Sequence, residues 1–239
     1  MQVFDDILVH DEFEVCPYLP DQIARMPLHV PSNALSPGEV DRRLAHGQRR
    51  TGDFVYQTQC PQCRACESIR VLVREFNLNR TMRRTLARND KLLQIRFGPV
   101  QHDAIRADMF NRHRFIRGLD RGDVAITPED YAWAFAKSCF STFEIGYYLN
   151  DQLICVAITD VGERAVSAVY TYYDPEFQHL SLGTYSILKQ IEYCQENAKE
   201  FLYLGFYIER SPSMVYKARF YPHERLLRDR WVRFDKPKS

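Results

Sequence analysis

The sequence predicts a mixed α/β (α+β) fold, and three observations carry that reading. Residues 143–149, 153–160 and 165–173 alternate as strands do, and the turn pairs Asn150-Asp151 and Gly162-Glu163 separate them into an antiparallel meander. A helical period then runs over residues 182–199, with Ile187, Leu188, Ile191, Cys194 and Ala198 on one face, and residues 201–208 return to a strand pattern. Ahead of the meander, Ser36-Pro37-Gly38-Glu39 and Thr127-Pro128-Glu129-Asp130 have the spacing of helix N-terminal caps.

The first fifteen residues are acidic and weakly patterned, with Asp5, Asp6, Asp11, Glu12 and Glu14, and a turn follows at Cys16-Pro17-Tyr18-Leu19-Pro20. The helix capped at Ser36 ends near Gly47. A short strand and a cysteine cluster follow it, then a strand over 68–74 and a helix after Asn79 with Met82 and Leu86 on its inner side. Gly98-Pro99 interrupts the pattern, so the sequence divides into an N-terminal Cys-rich, basic segment, 1–96, and a C-terminal segment, 97–239, expected to be catalytic. In the second segment Ile105, Met109 and Ile116 are close to helical spacing, and the Thr127 cap opens a helix carrying Tyr131 and Phe135. Helices, a meander, a helix beginning at a Ser/Gly turn and a further strand is the order of the acetyltransferase-like (GNAT) fold, although other α+β domains share it. The loop Leu180-Ser181-Leu182-Gly183-Thr184 lacks the full Gly-rich pattern that holds coenzyme A, which disfavours that donor.

A chain of 239 residues with 45% apolar content, 15 Phe and 14 Tyr builds a sizeable core, in one large or two small domains. No run reaches the length of a spanning helix and the start has no signal-peptide pattern, so a cytoplasmic protein without a membrane partner is expected. Net charge is +1, so a nucleic-acid partner needs a local basic patch. Between Arg64 and Arg96, nine basic residues face three acidic ones, and Arg80, Arg83, Arg84 and Arg88 form one helical stripe suited to a row of phosphates. A solvated helix face has the same pattern. Arg49 and Arg50 extend the basic region, and His113, between Arg112 and Arg114, is a candidate RNA contact or base where a structural His is the plainer alternative.

Seven cysteines in unequal spacing do not resemble a secreted disulfide framework. Cys60, Cys63 and Cys66 lie within seven residues, and Cys16, held between apolar and proline-rich neighbours, supplies a fourth thiol for zinc or an iron-sulfur cluster. Spacing does not separate the two metals, nor either from a loop of free thiols. Cys139, Cys155 and Cys194 fit as small core residues. Tyrosines crowd the stretches 167–177, 180–185, 203–208 and 214–220, and a cluster of phenols beside Asp174 and Lys217 points either to a polar pocket with aromatic walls or to sheet packing.

These stretches, with Cys16-Pro17-Tyr18-Leu19-Pro20, Arg49-Arg50-Thr51-Gly52, the cysteine cluster, Tyr216-Lys217 and the closing Trp231, resemble the arginyl-tRNA-protein transferases. The short bacterial branch that transfers Leu to N-terminal Asp and Glu is the nearer match in length and cysteine pattern. Ser211-Pro212 departs from the family's Cys-Pro, so no chemical role is given to that position. The resemblance implies a tandem acetyltransferase-like fold with an N-terminal Cys-rich metal-binding segment, and a Leu-tRNA (or Arg-tRNA) donor. It also implies protein acceptors beginning with Asp or Glu, which the transfer marks for N-degron degradation. No cofactor is required for chemistry: the donor ester is already activated, and positioning carries the reaction.

In that scheme Asp174 accepts the amine proton, Tyr170 or Tyr216 donates to the oxyanion, and Lys217 or Arg219 pairs with the acceptor carboxylate. Arg49, Arg50, Arg80, Arg83, Arg84, His113, Ser181 and Gly183 are expected along the tRNA. Two other readings are a metal-stabilised RNA-binding regulator, in which the tyrosines stack on bases, and a coenzyme A acetyltransferase.

Overall fold

In a computed structural model the protein is described over residues 4–120, 122 and 124–237. The chain begins with four short strands: β1 (Asp6–His10), β2 (Phe13–Val15), β3 (Ile23–Arg25) and β4 (Leu28–Pro31). Helix α1 (Pro37–Ala45) starts at the expected capping box, with Ser36 and Glu39 each satisfying the other's backbone N–H, and Gly47 ends it at φ +80°. Strands β5 (Arg49–Thr51) and β6 (Phe54–Tyr56) complete a four-stranded sheet in the order β1-β4-β6-β5, while β2 and β3 form a separate hairpin. The buried Arg43 guanidinium grips Asp6 through two 2.7 Å hydrogen bonds and ties α1 to β1.

Beyond the cysteine loop come β7 (Glu67–Leu72), α2 (Arg80–Asn89), β8 (Gln94–Gly98), α3 (Ala104–Ile116) and the single turn α4 (Pro128–Tyr131). The helix expected from Thr127 is cut short, because residues 132–136 widen into a π turn that buries Phe135. The meander follows as β9 (Ser141–Leu149), β10 (Gln152–Val161) and β11 (Ala165–Tyr173), and Asn150 and Asp151 both take positive φ in its first turn. Helix α5 (Leu182–Glu196) and β12 (Phe201–Tyr207) are followed by the short α6 (Pro212–Val215) and a closing hairpin, β13 (His223–Leu227) and β14 (Arg230–Phe234).

Eight strands form one sheet in the order β14-β13-β7-β12-β11-β10-β9-β8. The expected boundary at residues 96 and 97 therefore falls inside β8, and β7 lies in the middle of the sheet between β12 and β13. The apolar face of α5 and the inner side of α2, Met82 and Leu86, pack on this sheet to make the main core. α2 is bound to the start of α5 by Asn89, whose side chain donates to the Leu180 carbonyl at 2.8 Å.

One pairing in the sheet sets the position of the site. β11 and β12 run parallel and pair only over Ala165–Ser167 against Phe201–Tyr203, after which the two strands part. β12 then bulges between Tyr203 and Phe206, with Gly205 at φ +86°, a conformation open to glycine. Beside the opening, the Arg50 guanidinium forms a two-pronged bond to Asp160 on β10, at 2.9 and 2.8 Å, and Thr142 on β9 donates to the same carboxylate at 2.7 Å. Both charged side chains are 1% exposed, so each depends on the other. Asp160→Asn is expected to cost about 3–5 kcal/mol in urea unfolding by leaving Arg50 buried and uncompensated, and pairing it with Arg50→Met should restore most of the loss; a loss below about 1 kcal/mol would show that the pair does not hold the N-terminal sheet to the meander.

Candidate active site

The gap between β11 and β12 is a cleft of about 150 Å³. One wall is Ser167, Ala168, Val169 and Tyr170 of β11, and the other is Leu204, Gly205 and Phe206 of β12. Arg49 and Arg50 enter from β5, Tyr18 and Tyr56 from the N-terminal sheets, and Met214 and Lys217 from the turn after β12. The bare Cα of Gly205 lets two cations approach closely: a β-carbon there would lie 3.3 Å from both Arg49 Nη2 and Lys217 Nζ.

Lys217 is 9% exposed, and its ammonium donates to the Phe206 carbonyl at 2.9 Å and contacts Met214 Sδ at 3.0 Å. Arg49 is equally buried, lies 5.5 Å over the Phe206 ring, and has no side-chain hydrogen bond among the described residues. No carboxylate among the described residues pairs with either cation. Burial, and next the charge of Arg49, push Lys217 down to about 7. Buried cations normally come paired, and the carboxylate that lines this cleft, Asp160, is bound to Arg50 and not to Arg49 or Lys217.

Tyr170 lines this cleft and packs against the Phe110 and Phe135 rings. Tyr216 lies near Tyr170, Tyr173 and Arg117, and burial raises its phenol so that it keeps its proton. Tyr170 and Lys217 thus line one cleft, and Tyr216, next to Lys217 in sequence, is not among its lining residues. Asp174 is not among the residues lining the cleft. It caps the turn over Pro175–Leu180 by accepting from Glu176 N, and Arg112 donates to its carboxylate at 3.0 and 3.3 Å, so its oxygens are already engaged away from the cleft. Arg219 is exposed and does not line the cleft.

The expected tRNA contacts separate in the same way. Arg80, Arg83 and Arg84 stand exposed on α2. Ser181 is exposed in a left-handed conformation at the start of α5, with no side-chain cap, and Gly183 follows under the Tyr173 ring. His113 faces inward instead: it is 5% exposed, its Nδ1 pairs with the Tyr173 backbone, and burial pushes it down to about 4, so it is a neutral structural residue with no surface for RNA. Arg50, consumed by Asp160, is likewise unavailable to phosphate. Sequence reading placed Arg49 with the tRNA, since four basic residues in ten look like one patch; the burial that sets it apart is visible only in the fold.

Cys16, Cys60, Cys63 and Cys66 line one small cavity beneath Phe206 and Met214, and Arg64 donates to the Cys60 and Cys63 carbonyls beside it. Burial first, then the other three sulfurs, push Cys66 up to about 12. All seven cysteines are free thiols, and among the described residues no three His, Cys, Asp or Glu side chains converge closely enough to hold a metal ion. The cavity supplies a four-sulfur donor set without closing it.

The cleft's lining residues include neither Cys nor His, and its charged groups are Arg49, Arg50, Asp160 and Lys217. The profile "Arginine-tRNA-protein transferase, N terminus" matches residues 14–84 and its C-terminal counterpart matches 106–227. The aspartate/glutamate leucyltransferase of Vibrio campbellii is 36% identical over 218 residues, covering 90% of this chain and 92% of that one. Its namesake in Vibrio vulnificus strain YJ016 is 33% identical over 216 residues with the same coverage, and that of Acinetobacter baylyi is 32% identical over 224 residues, covering 94% and 83%. The chain belongs to the arginine-tRNA-protein transferase family and is an aminoacyltransferase.

The depressed Lys217 sets a stability signature. Its folded value lies below its unfolded one, so folding favours the neutral amine: the cost of burying the ammonium is fully present below pH 7 and fades as pH rises toward 10.5. Lys217→Met should therefore melt higher than the parent at pH 6, with the gain shrinking between pH 7 and 10; a pH-independent difference would mean that Lys217 is not held near neutrality.

Proposed function

We propose that this enzyme transfers Leu from Leu-tRNA to the α-amine of proteins that begin with Asp or Glu, a reading supported by relatives named aspartate/glutamate leucyltransferase. The observation that supports the acidic acceptor is the pair Arg49 and Lys217, buried at the cleft floor without a carboxylate. The first side chain of the acceptor supplies the missing anion. Arg49 offers a planar fork of donors to it, and Lys217, poised near pH 7, gains its proton back when the carboxylate arrives.

Anchored there, the α-amine lies in a cleft whose β11 wall ends in Tyr170. An α-amine has a pKa of about 7.7–8.0, so a useful fraction is neutral at physiological pH without a strong base. This reading moves the proton to water in place of Asp174. The amine attacks the ester carbonyl, the peptide bond forms, and the ester bond to the ribose breaks with the oxygen leaving on the tRNA. Tyr170 and Tyr216 donate to the oxygen that gains charge. The open N-terminus of α5 at Ser181 and Gly183, Arg117 beside Tyr173, and the exposed Arg80, Arg83 and Arg84 offer donors to the tRNA phosphates.

The parting of β11 and β12 beside a helix start supports an acetyltransferase-like reading of the sheet. The four-cysteine cavity is proposed as a structural site for zinc or an iron-sulfur cluster, supported by its sulfur donor set. No step of the transfer passes through it, and the residues named above perform the reaction. A substrate of charged tRNA favours a cytoplasmic location, and among the described residues no helix is long and apolar enough to cross a membrane. Transfer of this kind marks acceptors for N-degron degradation.

Hydrogen bonds to charged groups contribute about 1.5–3 kcal/mol, so Arg49→Gln should lower kcat/KM for an Asp-initiated peptide about 10- to 100-fold. The same variant should lose most of the preference for Asp over Asn at position one, in transfer assays run with labelled Leu-tRNA and Arg-tRNA in parallel. Retained selectivity would remove Arg49 from acceptor reading, and label from Arg-tRNA alone would overturn the leucyl assignment.

A further inference from the structure

Beside the cleft, over the first four strands, lies a groove of about 280 Å³. Tyr18 and Tyr56 line both, so the two spaces meet at this pair of rings. The groove's far wall carries Glu12 and Glu14, both exposed. Glu14 has only a long 3.7 Å contact to His10, and Glu12 has no ion pair among the described residues. The neighbouring Asp11 differs: Arg25 grips it at 2.6 and 2.7 Å. Its floor is apolar, from Ala24, Met26 and Leu28, and Phe13, Val15 and Ile23 stand more than half exposed on the flanking hairpin.

Charge therefore differs between two adjacent spaces, with the cations Arg49 and Lys217, unpaired among the described residues, in the cleft and the carboxylates Glu12 and Glu14 in the groove. Phosphates are repelled by such a wall, so a nucleic acid is a poor occupant. A polypeptide fits. Its first residue is fixed in the cleft, and an extended chain advances roughly 3.3 Å per residue, so the following residues must leave past the shared tyrosines.

We propose that the groove receives residues two to four of the acceptor polypeptide, and that Glu12 and Glu14 select acceptors with Lys or Arg at those positions. The inference rests on the reading of the cleft as the seat of the acidic first residue. It adds a second determinant: the enzyme reads an acidic residue followed by basic ones, and an acidic N-terminus that continues with Asp or Glu is a poor substrate.

The test uses the full chain, Leu-tRNA, and three peptides that share an N-terminal Asp and carry Lys, Ala or Glu at positions two to four. The parent should favour the Lys peptide over the Glu peptide about tenfold or more in kcat/KM at low salt, with the ratio falling as salt is added. Glu12→Gln with Glu14→Gln should bring the ratio close to one, and Glu12→Lys with Glu14→Lys should invert it; both side chains are exposed, so folding is not at stake. No preference in the parent, or the same ratio in parent and charge-reversed protein, overturns the proposal. The cleft is scored separately, by Asp against Asn at position one on the Ala series in Arg49→Gln, so that either reading fails without the other.

Discussion

The site is organised around two buried cations held close together, Arg49 and Lys217, neither of which pairs with a carboxylate among the described residues, while Asp160, the carboxylate that also lines the cleft, is bound to Arg50. Arg49 and Lys217 meet across the bare Cα of Gly205, and the arrangement is tolerable because Lys217 can give up its proton at about pH 7. The fold supplies the place by letting β11 and β12 pair for three residues and then part. A longer parallel pairing would fill the gap with backbone hydrogen bonds, and a side chain at position 205 would crowd both cations and oppose the positive φ. The cleft is thus an electrostatic demand that a carboxylate-bearing substrate answers, and binding energy is directed to the one feature by which an acidic N-terminus differs from its amide.

The two ends of the chain are interleaved around that place. β7, from the first third of the sequence, lies between β12 and β13, and β5 carries Arg49 and Arg50 to the cleft from the N-terminal sheet. Arg50 with Asp160 fastens that sheet to the meander, and its neighbour Arg49 is thereby fixed over Gly205. Two adjacent arginines of one short strand differ in their partners: Arg50 is bound to Asp160, and Arg49 has no ion pair among the described residues.

Much of this arrangement is visible in the sequence, for local reasons. The cap at Ser36, the turn at Asn150-Asp151, the meander and the apolar face of α5 from Ile187 to Cys194 are written in short-range patterns and appear in the structure, whereas Ala198, expected on that face, lies exposed past the helix end at Glu196 with φ +53°. β1 to β4 are not, because they are brief and lie largely exposed, so no alternation of apolar and polar residues marks them. The position of β7 in the middle of the sheet depends on pairing Leu72 with Phe201 and Glu67 with Tyr207, far apart in sequence, which no local signal encodes. Tyr170, Tyr216 and Lys217 are recognisable as a group from tyrosine density and family likeness. Asp174 attracts notice for the same reason, yet its carboxylate is held by Arg112, and only the fold shows which acidic residue is already occupied. Arg49 and Arg50 look alike in sequence, and burial and partners alone distinguish them.

The most direct test of the central claim is the titration of Lys217 itself, followed by NMR of the side-chain amine in protein carrying isotope-labelled lysine. In the free enzyme the midpoint should lie near 7. On saturation with a peptide beginning in Asp it should rise by at least a unit, and a peptide identical but for Asn at position one should leave it where it was. A midpoint near the ordinary lysine value in the free enzyme, or one indifferent to the carboxylate, would contradict the account.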